Sequence, residues 1–134
     1  MRWWMVGVVM AASAGALWGQ AVTPEPGRTI VFFDWGKPEL GREATAALDE
    51  AAAAYRQDPR PLRITGNTDR SGSAAVNRRS GLERARGVGA YLATRGVPRS
   101  AMTVESSGEE QPLVPTEDGV REVQNRRVEI LVTR

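Results

Sequence analysis

Apolar residues recur along this chain at two different periods, and the alternation between them lays out its elements. Leu62 and Ile64 alternate with Arg63 and Thr65, a period of two that predicts a half-buried strand stopping at Gly66. Further on, Leu82, Ala85, Val88, Gly89 and Leu92 return at helical steps and leave Arg78, Arg79, Arg86 and Arg95 mostly elsewhere. That spacing predicts a long helix, ended by Gly96 as a glycine just past the last turn would end it. An earlier helix is predicted from Ala44, Ala47, Leu48, Ala51, Ala52 and Tyr55, with Arg42, Glu43, Asp49, Glu50 and Arg56 facing water. Asp58-Pro59-Arg60-Pro61 stops it, because a helix does not run through two prolines. Before this helix, Thr29 to Asp34 is apolar enough to predict a well-buried strand, turned out by Trp35-Gly36-Lys37-Pro38. Two more strands follow the long helix: Met102 to Ser106, and the alternation of Val128, Ile130 and Val132 with Arg127, Glu129 and Leu131.

The order strand, helix, strand, helix, strand, strand predicts an α+β fold. Right-handed crossovers then place two main helices on one face of a small mixed four-stranded sheet, a two-layer sandwich. The polar loop from Gly108 to Val123 exceeds the usual connection length, which marks it as a functional or mobile segment. Residues 1–21 carry one positive charge, an uncharged run from Trp3 to Trp18 and a small-residue end, the layout of a secretory signal peptide cleaved before Val22. An uncleaved membrane anchor is the alternative, although the run falls slightly short of the roughly 17–25 residues that span a bilayer. Residues 22–28 then form a short linker and 29–134 one folded domain.

Composition removes several functions. The chain has 134 residues, no cysteine and no histidine, so thiolate catalysis, cysteine metal sites and histidine acid–base work are all absent. No cofactor is expected, and no enzyme activity. The pI of 9.7 suggests a nucleic-acid binder, but the net charge is only +2. Lys37 is the sole lysine, and little titrates between the carboxylates and the phenols, so a small excess of dispersed arginine moves the pI without creating a strong field. Nucleic acid is therefore not an expected partner.

What chemistry remains lies between the second strand and the long helix. Asn67, Thr68, Asp69, Ser71 and Gly72 form a loop of residues that bond locally and tolerate unusual dihedrals. Asp69 sits where the strand opens and Arg84 sits inside the helix that follows, so the two charges could meet over the loop. Such a pair is a receptor for a zwitterion, the carboxylate accepting from an ammonium and the guanidinium holding a carboxylate. The plainer reading is that Asp69 steadies the turn and Arg84 is one solvated arginine among many.

These residues resemble the OmpA-like peptidoglycan-binding domain. The loop is similar to its T-D-x-x-G segment at Thr68, Asp69 and Gly72, and the helix to its motif at Asn77, Arg84, Ala85, Val88 and Leu92. Gly108, Glu109 and Pro112 resemble its G-x-G-E-x-x-P turn, Asn125 to Ile130 its closing N-R-R-V-E-I strand, and VFFDWGKPEL its opening segment. Three positions depart: Asn67 replaces a histidine, Ser80-Gly81 replace Leu-Ser, and Ser106-Ser107-Gly108 replace G-Y-G. Gly81 costs about 1 kcal/mol against alanine within a helix. The resemblance implies a non-catalytic periplasmic module that binds the peptide stem of peptidoglycan. Arg84 would hold a diaminopimelate carboxylate and Asp69 its ammonium, with Asn67, Thr68 and Asn77 shaping the loop. Asn77 also has a structural role open to it, tying down the loop before its helix. Arg126 and Arg127 read as strand-flanking ion-pair residues. A second reading is a periplasmic adaptor between envelope proteins that keeps the scaffold while its ligand loop has changed.

Overall fold

The structure, a computed structural model, describes residues 27–133; the segment predicted to be a signal peptide and most of the linker lie outside them. Four strands and two helices follow the predicted order: β1 Arg28–Phe32, α1 Arg42–Gln57, β2 Leu62–Asn67, α2 Ala74–Thr94, β3 Met102–Gly108 and β4 Arg127–Val132. Short 3-10 turns at Arg99–Ala101 and Val123–Asn125 lead into the last two strands. The sheet order is β1-β4-β2-β3, with β4 antiparallel to both neighbours and β2 parallel to β3. The two helices pack on it to give the expected α+β sandwich.

Each helix forms for a local reason. In α1 the buried Ala44, Leu48 and Ala52 recur every fourth residue. The α1 helix stops at Asp58, whose N–H still reaches the Ala54 carbonyl, and the prolines follow. In α2 the Ser73 hydroxyl caps the start by accepting from the Val76 N–H at 3.2 Å. At its end Gly96 takes a left-handed φ of +98° and donates to the Ala93 carbonyl at 3.3 Å, while Val97 donates to Leu92 at 3.1 Å. This is the Schellman arrangement predicted by the glycine, and it delivers Val97 into the core.

Two expectations change. Thr29 to Asp34 was expected as a well-buried strand, but among the described residues β1 is an edge strand that pairs only with β4, and only one of its faces is covered. Val31 and Phe33 turn to the core while Phe32 is 41% exposed. Leu82, counted with the inward face of α2, is only partly buried and outside the core. Gly81 takes the inward position instead. A Cβ on Gly66 would lie 1.8 Å from the Gly81 carbonyl oxygen, and one on Gly81 would lie 2.5 Å from Ser106 Oγ. The backbones of α2 and β2 touch here, so the glycine that weakens the helix is what lets it seat.

Candidate functional site

Strand β2 ends with a shift of register between Gly66 and Asn67, and the chain then leaves the sheet. The Thr68 N–H still holds to the Gly108 carbonyl at 2.8 Å, which fixes the start of the loop. Gly72, at φ +84°, makes the turn into Ser73 and α2. Asp69 is thus set at the bottom of a short, tethered loop.

Its carboxylate is fully engaged. Oδ1 accepts from the Ser71 N–H at 3.1 Å and from the Ser71 hydroxyl at 2.6 Å. Oδ2 accepts from the Glu122 N–H at 3.1 Å and from Arg126 Nη1 at 2.6 Å. Arg126 also donates through Nε to the Phe33 carbonyl at 3.2 Å, so this one arginine joins the start of β4, the exit of β1 and the loop. Burial alone would raise the Asp69 pKa, but the bonds from Ser71, Glu122 and Arg126 outweigh it and hold the carboxyl below its ordinary range.

Arg84 approaches from α2. It is 7% exposed, makes no hydrogen bond or ion pair with the described residues, and lies 5.3 Å from the centre of the Phe33 ring. Burial first, then the neighbouring Arg126 charge, lower its pKa, while Asp69 and Glu83 oppose them. Asp69, Arg84 and Arg126 all line one cavity of about 210 Å³, together with Thr68, Asn77, Ser80, Ser71 and Trp35. Thr68 Oγ1 is fully buried and has no hydrogen-bond partner among the described residues.

The predicted site residues therefore separate. Asp69, Arg84, Thr68 and Asn77 share the cavity. Asn77 also ties the loop as its position suggested, donating to the Asp69 carbonyl at 3.3 Å and to Glu109 at 2.8 Å. Asn67 is buried but is not part of the cavity wall; its amide nitrogen turns back to the Thr65 carbonyl at 3.2 Å. Arg127 pairs with Glu129 at 2.6 Å, as a strand-flanking ion-pair residue would. Arg126 is an ion-pair residue too, but its partner is Asp69 and it forms part of the cavity wall. Its place next to Arg127 in the N-R-R-V-E-I segment gave no hint of that. Trp35 is likewise new: its indole N–H donates to the Ser71 hydroxyl at 3.0 Å, and the Arg121 guanidinium stacks 3.5 Å from its ring centre.

The long loop borders the site through specific bonds. Besides Glu122 on Asp69, the Gly119 N–H donates to the Arg70 carbonyl at 2.8 Å, and Arg70 pairs with Asp118. Asn125 exchanges two bonds with the Val114 backbone, at 2.9 and 2.8 Å, closing the loop on itself.

Residues 32–126 match the model of the OmpA family. An outer membrane protein of Gluconacetobacter diazotrophicus is 40% identical over 118 residues, which are 81% of this chain and 31% of that protein. A peptidoglycan-associated lipoprotein of Pseudomonas putida is 34% identical over 102 residues, 76% of this chain and 61% of the lipoprotein. The chain thus spans less than two thirds of either relative. The crystal structure of the peptidoglycan-associated lipoprotein from Burkholderia pseudomallei superimposes with a TM-score of 0.73 at 30% identity, covering 78% of this chain and 90% of that one. The C-terminal domain of Helicobacter pylori MotB superimposes with a TM-score of 0.68 at 19% identity, covering 77% and 81%, and shares the fold.

Proposed function

The chain belongs to the OmpA family, and from that premise we propose that it binds cell-wall peptidoglycan non-covalently in the periplasm, through the diaminopimelate-containing peptide stem. The observation that carries this reading is a buried arginine that has no hydrogen bond or ion pair with the described residues and lines a small cavity, beside a carboxylate and a second arginine already paired. A guanidinium in that position offers a bidentate grip to a ligand carboxylate. The Asp69–Arg126 pair forms the wall against which the ligand's amine would lie. The lipoprotein relatives are named for association with peptidoglycan, which supports the same ligand. The reading is of a binding module without catalysis. Export by residues 1–21 belongs to it, and the protein recovered from the periplasm is then expected to begin at Val22 by intact mass.

Charge-assisted hydrogen bonds contribute about 1.5–3 kcal/mol each, so one stem is held modestly and retention on the polymer comes from many adjacent stems. Co-sedimentation with purified sacculi tests the reading. Wild type should pellet with them, and Arg84→Gln should stay in solution with an unchanged circular dichroism spectrum. Retention of Arg84→Gln would remove Arg84 from the site. Failure of the wild type to pellet would end the peptidoglycan reading in favour of a protein adaptor.

A further inference from the structure

The two edges of the sheet are finished differently. At the β3 edge the strand is bulged: Gly66 faces Ser106 and Asn67 faces Gly108, so Ser107 is an extra residue. Arg78 from α2 also donates to the Ser106 carbonyl at 3.3 Å. Bulges and charged side chains laid on an edge are how sheets refuse another strand. The β1 edge has no such device. Its pairing with β4 runs from Arg28 to Phe32 without a register shift, and the strand contains no proline, lysine or glycine. The Gly27 carbonyl accepts from the Val132 N–H at 2.8 Å, and the Phe33 N–H donates to the Arg126 carbonyl at 2.9 Å. Hydrogen-bonded pairs alternate along an antiparallel ladder. Thr29 and Val31 therefore direct their main-chain groups to β4, while those of Ile30 and Phe32 point to the open edge. No turn, loop or cap among the described residues bonds to them there. Their side chains lie on the sheet face turned away from the helices, as does Leu131 of β4, and both Phe32 and Leu131 are exposed.

We infer that β1 is a docking edge for a second copy of this chain, the two β1 strands pairing antiparallel about a two-fold axis at Ile30 so that two four-stranded sheets run on as one. The strand is self-complementary in that register. Ile30 stands opposite Ile30 of the second copy, and Arg28 opposite its Phe32, so a guanidinium meets an aromatic face and no like charges oppose each other. Arg28 brings its own countercharge, since Glu129 on the adjacent strand lies 2.9 Å away. Ile30, Phe32 and Leu131 of both copies then make one apolar strip across the axis, covering side chains that the single chain exposes. Such an isologous contact closes at two copies, because it consumes the β1 edge and the β3 edge is blocked. Five residues make a small contact, so the association is weak and follows concentration. It does not depend on what the cavity binds.

Sedimentation velocity of the full chain over a wide range of concentration tests the inference. The weight-average mass should climb from one chain toward two. Ile30→Pro removes an N–H that β4 does not use, as edge strands tolerate, and should hold the mass at one chain over the same range. The chain has no cysteine, so Ile30→Cys supplies a single thiol. Residues of a hydrogen-bonded antiparallel pair sit about 5.5 Å apart at Cα, within disulfide reach. In a glutathione redox buffer Ile30→Cys should give several times more disulfide-linked dimer than Thr103→Cys, a control on β3. Wild type that stays at one chain at every concentration overturns the inference. So does an Ile30→Pro chain that associates like wild type, or a Thr103→Cys chain that links as readily as Ile30→Cys. Should Ile30→Pro fail to fold, the two cysteine variants decide.

Discussion

The two ends of the sheet carry hollows of opposite character. Where β1 and β2 begin and β4 ends, a groove of about 510 Å³ opens under α1, with Ala47, Ala51, Tyr55, Leu62, Ile130 and Val132 among its walls. Its rim arginines have acids beside them: Arg28 reaches Glu129 at 2.9 Å and Arg60 reaches Asp58 at 2.9 Å. At the other end the cavity is less than half as large, about 210 Å³, yet the buried Arg84 and the Asp69–Arg126 ion pair line it. Among the described residues, no buried side-chain polar atom of the groove lacks a partner. The groove is space left where a helix of small residues leaves the sheet part-covered. The cavity brings together charged groups of which one, Arg84, has no hydrogen bond or ion pair with the described residues, and on the reading proposed above that is a better guide to a binding site than volume.

Substitutions at the two ends should separate them widely. Asp69→Ala leaves Arg126 and Arg84 buried without a carboxylate and strips an acceptor from Ser71 and Glu122, which should cost about 3–5 kcal/mol in denaturant unfolding. Asp58→Ala, its counterpart at the groove, removes an exposed acid and should cost under about 0.5 kcal/mol. Acid should expose the same contrast. Because the folded-state pKa of Asp69 lies below the ordinary value of 3.8, its contribution is complete above that value and is lost as the pH falls through the folded-state pKa. Asp69→Asn should flatten that limb of the pH–stability curve.

Gly66→Ala comes next. It drives a methyl group into the Gly81 carbonyl and should destabilise by about 3 kcal/mol, read as a fall in melting temperature. Arg84→Gln should lower sacculus binding about tenfold or more while leaving stability unchanged or raised by up to about 1 kcal/mol, since no hydrogen bond or ion pair with the described residues is lost. Smallest is Arg60→Ala, which should move stability by less than about 0.5 kcal/mol and leave sacculus binding intact.

The helices and strands were legible because their cause is local. The two-residue alternation around Leu62 and Ile64, the four-residue repeat of Ala44, Leu48 and Ala52, and the terminating Gly96 each act within a few positions. The edge position of β1 was not legible, since an apolar run reads alike in a central strand and in one with a single neighbour. Gly81 read as a defect because its partner, Gly66, lies fifteen positions earlier in the sequence and meets it only once α2 has packed on β2. Asp69 and Arg84 were found through chemistry at fixed spacing and do share a cavity. What spacing could not disclose was that Asp69 is already occupied. Its partner Arg126 is 57 residues away, and the Glu122 N–H comes from a loop whose path depends on the finished fold. That changes what Asp69→Ala reports: it disturbs folding and binding together, and Arg84→Gln is the cleaner probe.

The central place of β4 governs the order in which the sheet can be assembled. Among the described residues the first strand pairs with nothing but this fourth one, across a separation of about a hundred residues, as in Thr29 opposite Ile130. β2, α2 and β3 are joined by a parallel crossover and can come together without β4, whereas β1 has no neighbour in the sheet until β4 fills the gap. The same segment brings Arg126, so the sheet and the wall of the cavity are completed together. A truncation that removes β4 and Arg126 would thus leave a fragment with its opening strand unattached and the Asp69 loop without the charge that anchors it.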